Sequence, residues 1–458
     1  TGGCMSFTSL IFLFLFLPLA LILYRFLYQK PKAANILLLV LSLLFYAWDG
    51  IRNVILLIIV VAWCWASGLE MSKLKENSKE RKLTMIISVS LPVLILVFYK
   101  YIPIVAPSVN AGFPLGLSFY IFSAISYLAD IYMMKAAACT SILDTGLYLG
   151  FFGKVSMGPI TQYHTFAPQI SHRKITRSEL GRGAMEIITG LTKKVIIADQ
   201  LAVVFAALAG DNSFLGSWIM MLAYTFQLYF DFSGYSDMAI GISRLFGFNL
   251  PANFNHPYTA VSIQDFWRRW HISLSQWFRD YVYIPLGGSR CSDLKYIRNL
   301  FVVWILTGIW HGSTWTFVIW GVYYALLLMA EKYVFKDMLP KIPHPVRVIG
   351  TFLLVLFGWV FFTQPTLAGA LSVFKGLFLL SGSFATDLAW YQLASSWILM
   401  AIAIFFCAPR AHLYDLICSR IGGRKGYLVA GAGYILLFAV CVMLIMMSTS
   451  QTFLYAQF

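Results

Sequence analysis

The sequence predicts an all-α protein that crosses a membrane many times. Hydrophobic residues make up 60% of the 458 residues and charged residues only 12%, and the mean hydropathy is +0.76. Soluble domains are about 45–50% apolar and about 25% charged. The apolar residues also form runs of the length that a helix needs to cross a bilayer, about 20 residues. Most of the chain is therefore expected to face lipid or other buried helices.

The apolar runs place the expected spans along the chain. The run 33–48 is short but Leu-rich and is also expected to span, whereas 143–160 and 366–381 are short or broken by glycine and are expected to be re-entrant or interfacial. We expect roughly eleven transmembrane helices in a single domain over residues 5–458. Residues 1–4 are interpreted as a remnant outside the natural protein, whose start would be Met5. The other predicted spans are 10–28, 53–71, 84–103, 116–134, 185–208, 216–248, 298–333, 346–363, 395–408 and 427–448.

Basic residues lie mainly in short segments between the apolar runs. The net charge is +15, from 34 basic and 19 acidic residues, and one cluster occupies Lys73–Lys82. By the positive-inside rule this loop, like the one at 25–32, is cytoplasmic and the N-terminus is extracytoplasmic. The excess charge thus indicates contact with membrane lipid and not with nucleic acid. The seven cysteines are scattered, so the sequence predicts neither a disulfide framework nor a metal site.

His311 is an ionisable residue inside an apolar run. It follows Arg298 by 13 positions, which places it roughly 20 Å along a helix, near mid-bilayer. Such a residue costs several kcal/mol unless it is paired or lines a watery cavity. It is either a core histidine bonded to a neighbouring helix or a group that transfers protons. Helical spacing predicts one aromatic and hydroxyl face, made by Trp304, Thr307, His311, Thr314 and Trp315. Gly308 and Gly312, four residues apart, would let a neighbouring backbone or substrate approach closely.

The segment 264–290 is too charged to cross a bilayer and has the pattern of an interfacial helix. One stripe carries Trp267 and His271, and the next carries Arg268 and Arg279. The segment is either a headgroup anchor or a mouth where arginines bind the phosphates of a donor and His271 points inward.

Asp231 is a second ionisable residue in an apolar run. Tyr224, Gln227 and Asp231 share a helical face, so the carboxylate is expected to point inward with polar companions. We expect it to pair with Arg268, Arg269 or Arg279 in preference to a catalytic role. Gly158-Pro159 breaks the chain at membrane depth, which is tolerated only where the break is buried or lines a cavity.

Six motifs, in order, resemble the membrane-bound O-acyltransferase (MBOAT) family, and most closely its bacterial alginate O-acetyltransferase branch. The resemblance covers about residues 95–335. The motifs are F-P-L-G-L-S-F-Y (113–120), M-G-P-I (157–160), Y-F-D-F-S-G-Y-S-D-M-A-I-G (229–241), F-W-R-R-W-H-I-S-L-S (266–275), W-F-R-D-Y-V-Y-I-P-L-G-G (277–288) and W-H-G (310–312).

The resemblance implies a ring of tilted helices around a tunnel that joins a cytoplasmic funnel to an outer opening. The two histidines of the family fall on His311, as the general base, and on His271. The residues expected to line the tunnel or contact substrate are Trp310, Trp315, Thr307, Asp231, Tyr235 and Trp267. The residues expected to bind donor phosphates are Arg268, Arg269 and Arg279. An indole N–H of Trp310 or Trp315, or a backbone amide near Gly312, would stabilise the oxyanion.

The implied reaction is transfer of a short acyl group, acetyl, from a cytoplasmic thioester to a hydroxyl at the outer side of a bacterial cytoplasmic membrane. The donor is acetyl-CoA or an acyl-carrier protein, and no bound cofactor is expected. The acceptor is a cell-surface glycan or a relay protein, such as an extracytoplasmic SGNH-type partner.

Alternatives remain open for the reaction and for the class of protein. The D-alanyl transferase of teichoic acid is a close relative, but it usually lacks the tail found at 284–290. The loop 161–172, in turn, departs from the pattern of the alginate branch. A polysaccharide exporter or a non-enzymatic scaffold would also explain many spans, and either one predicts that His311 can be replaced.

Overall fold

The computed structural model describes residues 5–106, 108–109, 112–409 and 418–448. Within these ranges the regular structure is entirely helical, which confirms the all-α prediction. The interpretation of residues 1–4 as a remnant lies outside the described residues.

Five helices of the described ranges are long and apolar enough to cross a membrane. Several shorter apolar helices accompany them, so the chain is a helical membrane protein. The number of eleven spans and the central tunnel stay predictions. The five helices are Ile51–Lys73, Lys79–Val105, His344–Thr363, Asp387–Cys407 and Lys425–Met447.

The chain divides into two compact units. The first lies within residues 1–190, 235–252 and 445–452, and the second within 191–234, 253–444 and 453–458. The boundary therefore falls inside one long helix, Phe214–Leu245. The prediction of a single membrane domain over 5–458 stays a prediction.

The first unit contains the N-terminal helices. Arg81, buried near the start of one of them, donates to the carbonyl oxygens of Met71 (3.0 Å) and Ile131 (2.8 Å), at the ends of two others. These carbonyls lie in the last turns of their helices, where the regular i+4 amide is missing, so the guanidinium adds a bond to each helix end and joins the two. The helices are Leu17–Leu27 after a π-helical turn at Phe12–Phe16, Pro31–Ala47, Ile51–Lys73, Lys79–Val105, Leu117–Tyr132, Ile142–Gly150, Phe152–Val155, Tyr163–Ser171 and Arg177–Leu191.

The second unit contains the histidines singled out by the sequence. It begins with π-helical Thr192–Ala198 and includes the first part of Phe214–Leu245. Its other helical segments are Asp199–Ala207, Pro257–Thr259, Ile263–Arg269, Ile272–Phe278, Arg279–Tyr283, Asp293–His311, Trp315–Tyr333, Leu339–Lys341, His344–Thr363, Leu367–Leu377, Asp387–Cys407 and most of Gly423–Met447.

The predicted run 298–333 is two helices, so the prediction of one continuous helical face is wrong. Asp293–His311 ends because Gly312 is extended (φ −168°, ψ 170°), and Trp315–Tyr333 begins three residues later. The two helices then pack with their backbones in contact. A Cβ atom on Gly308 would clash with the carbonyl oxygen of Phe317, and one on Gly321 with that of Trp304. We call this pair of helices the histidine hairpin.

We predict that Gly308→Ala lowers the free energy of unfolding by about 1–3 kcal/mol, because overpacking at a backbone contact forces the helices apart. Thermal unfolding of the purified protein in detergent measures the change. Gly350→Ala is the matched control, since a Cβ there meets nothing within 4 Å. That substitution should raise stability by about 0.5–1 kcal/mol. Equal effects of the two changes would contradict the close packing.

Candidate active site

His311 is the last residue of its helix and lies in an aromatic environment. Its side chain is buried, at 4% exposure. Its ring centroid lies 5.0 Å from that of Trp320, 5.1 Å from that of Phe362 and 4.5 Å from that of Trp310. The helix end fixes the backbone while the surrounding rings exclude water from the imidazole.

Three other residues that the sequence singled out near His311 have different surroundings. Thr307 is buried, and its hydroxyl donates to the Val303 carbonyl one turn earlier (2.7 Å). Trp315 opens the next helix and is 80% exposed, so it does not share a helical face with His311. The amide of Gly312 donates to Gly308 within the helix (3.2 Å). Of the oxyanion donors considered, the indole of Trp310 is the one packed on His311.

His271 lies at a sharp bend, which makes the prediction of one amphipathic helix over this segment wrong. Its backbone is left-handed (φ 44°, ψ 54°) and separates the short helices Ile263–Arg269 and Ile272–Phe278. The bend turns the imidazole inward, where it is 1% exposed. The exposed Arg268 and Arg279 do not share this environment.

Asn253 orients the imidazole of His271. Its side-chain oxygen lies 3.1 Å from His271 Nδ1 and accepts from the backbone N–H (3.2 Å) and the hydroxyl (2.9 Å) of Ser273. A backbone N–H can only donate, so the shared atom is an oxygen and Nδ1 must carry its proton. Nε2 is then the ring nitrogen with the lone pair. Sequence reasoning missed Asn253 because it lies in an irregular segment without periodicity.

The structure brings both histidines to one indole ring. The centroid of Trp310 lies 4.5 Å from His311 and 6.3 Å from His271. Phe232 packs edge-on against His271 at 4.7 Å. The structure therefore places two imidazoles in one apolar environment, where either can exchange a hydrogen bond with a bound substrate.

Burial lowers the pKa of His271 to about 3. The charged form loses its hydration in this environment, so the ring is neutral at physiological pH. A neutral imidazole can accept a hydrogen bond at Nε2 while Nδ1 donates to Asn253.

Asp231 forms an ion pair with Lys194, and the predicted pairing with an arginine is wrong. Lys194 Nζ lies 2.6 Å from Asp231 and 2.7 Å from Asp199, and the lysine side chain is 3% exposed. Arg269 pairs with Asp265 and Arg279 with Asp280, each at 2.9 Å. The sequence analysis did not single out Lys194, although it is an ionisable residue inside the apolar run 185–208, as His311 is inside its own.

The remaining predicted residues divide between the two units. Trp267 lies in the second unit, with its ring 4.7 Å from Trp304 and 4.8 Å from Tyr324. Tyr235 belongs to the first unit, where its hydroxyl bonds to Ser156 and its ring stacks on Phe7. Across the described ranges, no group of three or more His, Cys, Asp or Glu residues could hold a metal ion.

Comparison with known proteins finds one matching family and relatives that are named for transfer of acyl groups. The sequence profile of MBOAT, the membrane-bound O-acyltransferase family, matches residues 46–374. A protein of Azotobacter vinelandii named "Probable alginate O-acetylase" is 36% identical over 99% of this chain and 100% of its own length. The peptidoglycan O-acetyltransferase of Helicobacter pylori is 34% identical over 77% of this chain and 75% of its own. The teichoic acid D-alanyltransferase of Bacillus subtilis is 32% identical over 47% of this chain and 60% of its own.

We predict that Lys194→Met destabilises the protein by about 3–5 kcal/mol, because it removes the cation from a buried ion pair. A double variant that also replaces the more deeply buried carboxylate, Lys194→Met with Asp231→Leu, should recover part of that loss, since only the more exposed Asp199 is then left without its cation. Lys193→Met is the matched control, since the preceding lysine is half-buried and should cost less. Thermal unfolding of the purified proteins in detergent measures the stability of all three variants. A double variant no more stable than Lys194→Met would refute the pairing.

A second prediction concerns acid sensitivity. The folded pKa of His271 lies below its ordinary value of 6.5, so below that pH the unfolded chain takes up a proton that the folded protein does not. The contribution of His271 to the free energy of unfolding is fully present above pH 6.5 and is lost as the pH falls toward 3. Between pH 7 and pH 5 this loss is about 2 kcal/mol. His271→Gln should therefore show a shallower fall of melting temperature over this range, and parallel curves would rule the effect out.

Proposed function

The chain belongs to the membrane-bound O-acyltransferase family and is an acyltransferase, and on that premise we propose which group it moves and how. The group is acetyl, the donor is a thioester on the cytoplasmic side, and the acceptor is a hydroxyl of a cell-surface glycan or of a relay protein. The basic loops would be cytoplasmic and the N-terminus extracytoplasmic.

One observation carries the proposal: two buried histidines pack on a single indole within an apolar shell. His311 and His271 both contact Trp310, and His311 is further enclosed by Trp320 and Phe362. Exclusion of water favours transfer to a hydroxyl over hydrolysis of the thioester.

In the proposed reaction, His311 takes the proton of the acceptor hydroxyl as its oxygen attacks the thioester carbonyl. The tetrahedral intermediate carries its negative charge on the former carbonyl oxygen, where the indole N–H of Trp310 would donate. Collapse breaks the carbon–sulfur bond, and the imidazolium of His311 returns the proton to the leaving thiolate. The products are an ester and a free thiol, with no net proton released.

His271 would act as a neutral acceptor beside the reacting groups. With Nδ1 held by Asn253, its Nε2 can receive a hydrogen bond from the acceptor hydroxyl or from an N–H of the donor. This role uses the fixed tautomer and requires no change of charge.

The donor would be acetyl-CoA or an acyl-carrier protein. Arg268 and Arg279 are exposed and Arg269 is half-buried, which leaves guanidinium groups accessible to phosphates. We propose these three residues for donor binding.

The relatives that cover most of the chain favour acetyl over D-alanyl as the transferred group. The proteins named for O-acetylation of alginate and peptidoglycan match 99% and 77% of the chain, against 47% for the D-alanyltransferase of Bacillus subtilis. A glycan is therefore the proposed final acceptor, reached directly or through an extracytoplasmic SGNH-type partner.

We predict that His311→Ala lowers acetyl transfer by about 10²–10⁴-fold, because the variant loses its general base. Ester-linked acetate on the cell surface, released by mild alkali and quantified in cells that carry only the variant, measures the effect. His344→Ala is the matched control, since this exposed histidine begins another helix. Normal acetylation with correctly inserted His311→Ala would reject the assignment and favour an exporter or scaffold.

A further inference from the structure

Glu331 lies on the second helix of the histidine hairpin and contacts the start of the short helix that precedes His271. One of its carboxylate oxygens accepts from the backbone N–H groups of Ile263 (2.8 Å) and Gln264 (3.3 Å). The first N–H groups of an α-helix have no acceptor within the helix itself. The half-buried carboxylate of Glu331 therefore supplies acceptors to Ile263–Arg269 and joins this helix to the hairpin.

The same helix also has a cap formed by its own neighbours. The hydroxyl of Ser262 accepts from the backbone N–H of Asp265 (3.1 Å), and the carboxylate of Asp265 accepts from the N–H of Val261 (3.1 Å). This reciprocal capping box is local and defines where the helix starts. What Glu331 adds is the attachment of that start to a distant element of the chain.

Beyond its start, the helix packs along the hairpin through aromatic rings. The ring of Trp267 lies 4.8 Å from that of Tyr324, and His271, just after the helix, lies 6.3 Å from the indole of Trp310. Aromatic contacts tolerate ring separations of about 4.5–7 Å, whereas N–H···O hydrogen bonds prefer about 2.7–3.2 Å. The bonds of Glu331 therefore restrict the position of the helix along the hairpin more tightly than the ring contacts do.

A second polar contact holds the chain that follows His271. The buried side chain of Asn299, on the first helix of the hairpin, donates to the carbonyl of Gly288 (3.1 Å). The amide of Gly288 donates to the carbonyl of Tyr283 (2.8 Å), where the helical segments after His271 end. His271 thus lies between two polar anchors, and both anchors belong to the hairpin that carries His311.

We propose that Glu331 is a positioning residue for acyl transfer, which holds His271 beside Trp310 by fixing the helix in front of it. This inference rests on the proposed function and deepens it, because it names the group on which the place of the second histidine depends. Glu331 acts only through the helix that it contacts. Displacement of a catalytic group by about 1 Å costs about 10²-fold in rate, so release of this anchor should reach the chemistry.

The first experiment compares two substitutions of Glu331. Glu331→Ala should lower acetyl transfer about tenfold per inserted molecule, because the helix is released at its start. Glu331→Gln should stay within about twofold of the parent, since its amide oxygen accepts the same hydrogen bonds. Alkali-released acetate from the surface of cells that carry only the variant measures transfer, and immunodetection in the membrane fraction gives the amount inserted. A glutamine variant as impaired as the alanine variant would overturn the proposal.

Thr386→Ala is the matched control, because it also removes two hydrogen bonds at the start of a helix in the second unit. The exposed hydroxyl of Thr386 accepts from the backbone N–H of Ala389 (3.1 Å) and donates to the carboxylate of Asp211. Both alanine variants should lower the melting temperature by a few degrees, but only Glu331→Ala should lower acetylation per inserted molecule. Equal acetylation by the two variants would overturn the positioning role, since lost stability would then account for Glu331.

A double-variant cycle tests whether Glu331 acts through His271. His271→Ala should itself lower acetylation, and adding Glu331→Ala should cost less than about twofold more, because the residue being positioned is gone. A further loss of about tenfold in the double variant would show that Glu331 acts elsewhere and would overturn the proposal. The comparison with Thr386→Ala decides the matter by itself where His271→Ala is poorly inserted.

The same variants keep the two levels of inference apart. Normal acetylation by well-inserted His271→Ala would reject the role proposed for this histidine, and the positioning with it. Reduced acetylation by His271→Ala beside normal acetylation by Glu331→Ala would reject the positioning alone.

Discussion

The close packing of the histidine hairpin is the constraint on which the candidate site depends. Gly308 and Gly321 let the two backbones touch, and the turn at Gly312 ends the first helix at His311. Trp320 on the returning helix is thereby held 5.0 Å from the imidazole. A wider separation of these helices would open the aromatic shell and admit water to the base.

His271 is positioned beside the same indole, that of Trp310, by a bend in the backbone and not by the end of a long helix. His271 occupies a left-handed bend between two short helices, and Asn253 holds its Nδ1 while also binding Ser273. One amide thus fixes both the backbone after the bend and the tautomer of the ring. A residue conformation that is unfavourable for a non-glycine residue is maintained where it orients a chemical group, as is common at active sites.

Polar groups in the second unit fall into two physical classes. Lys194 lies within 2.7 Å of both Asp199 and Asp231, which makes the burial of these groups tolerable and ties Thr192–Ala198 to Phe214–Leu245. The donors of Trp267, Trp320 and Tyr324 lack such partners within the described ranges. The first class compensates the burial of its charges, whereas each donor of the second class costs about 1–3 kcal/mol because it lacks an acceptor.

Composition and the length of the apolar runs determined that this chain is a helical membrane protein, and ordered motifs around His271 and His311 determined its family. These signals are local, because hydropathy and motif spacing can be read from the sequence without knowing which segments pack against each other. The end of the helix at His311, the bend at His271 and the pairing of Asp231 with Lys194 depend on contacts between segments far apart in sequence. Only the tertiary structure could decide them, because periodicity reports which face of a helix is apolar and not which partner covers it.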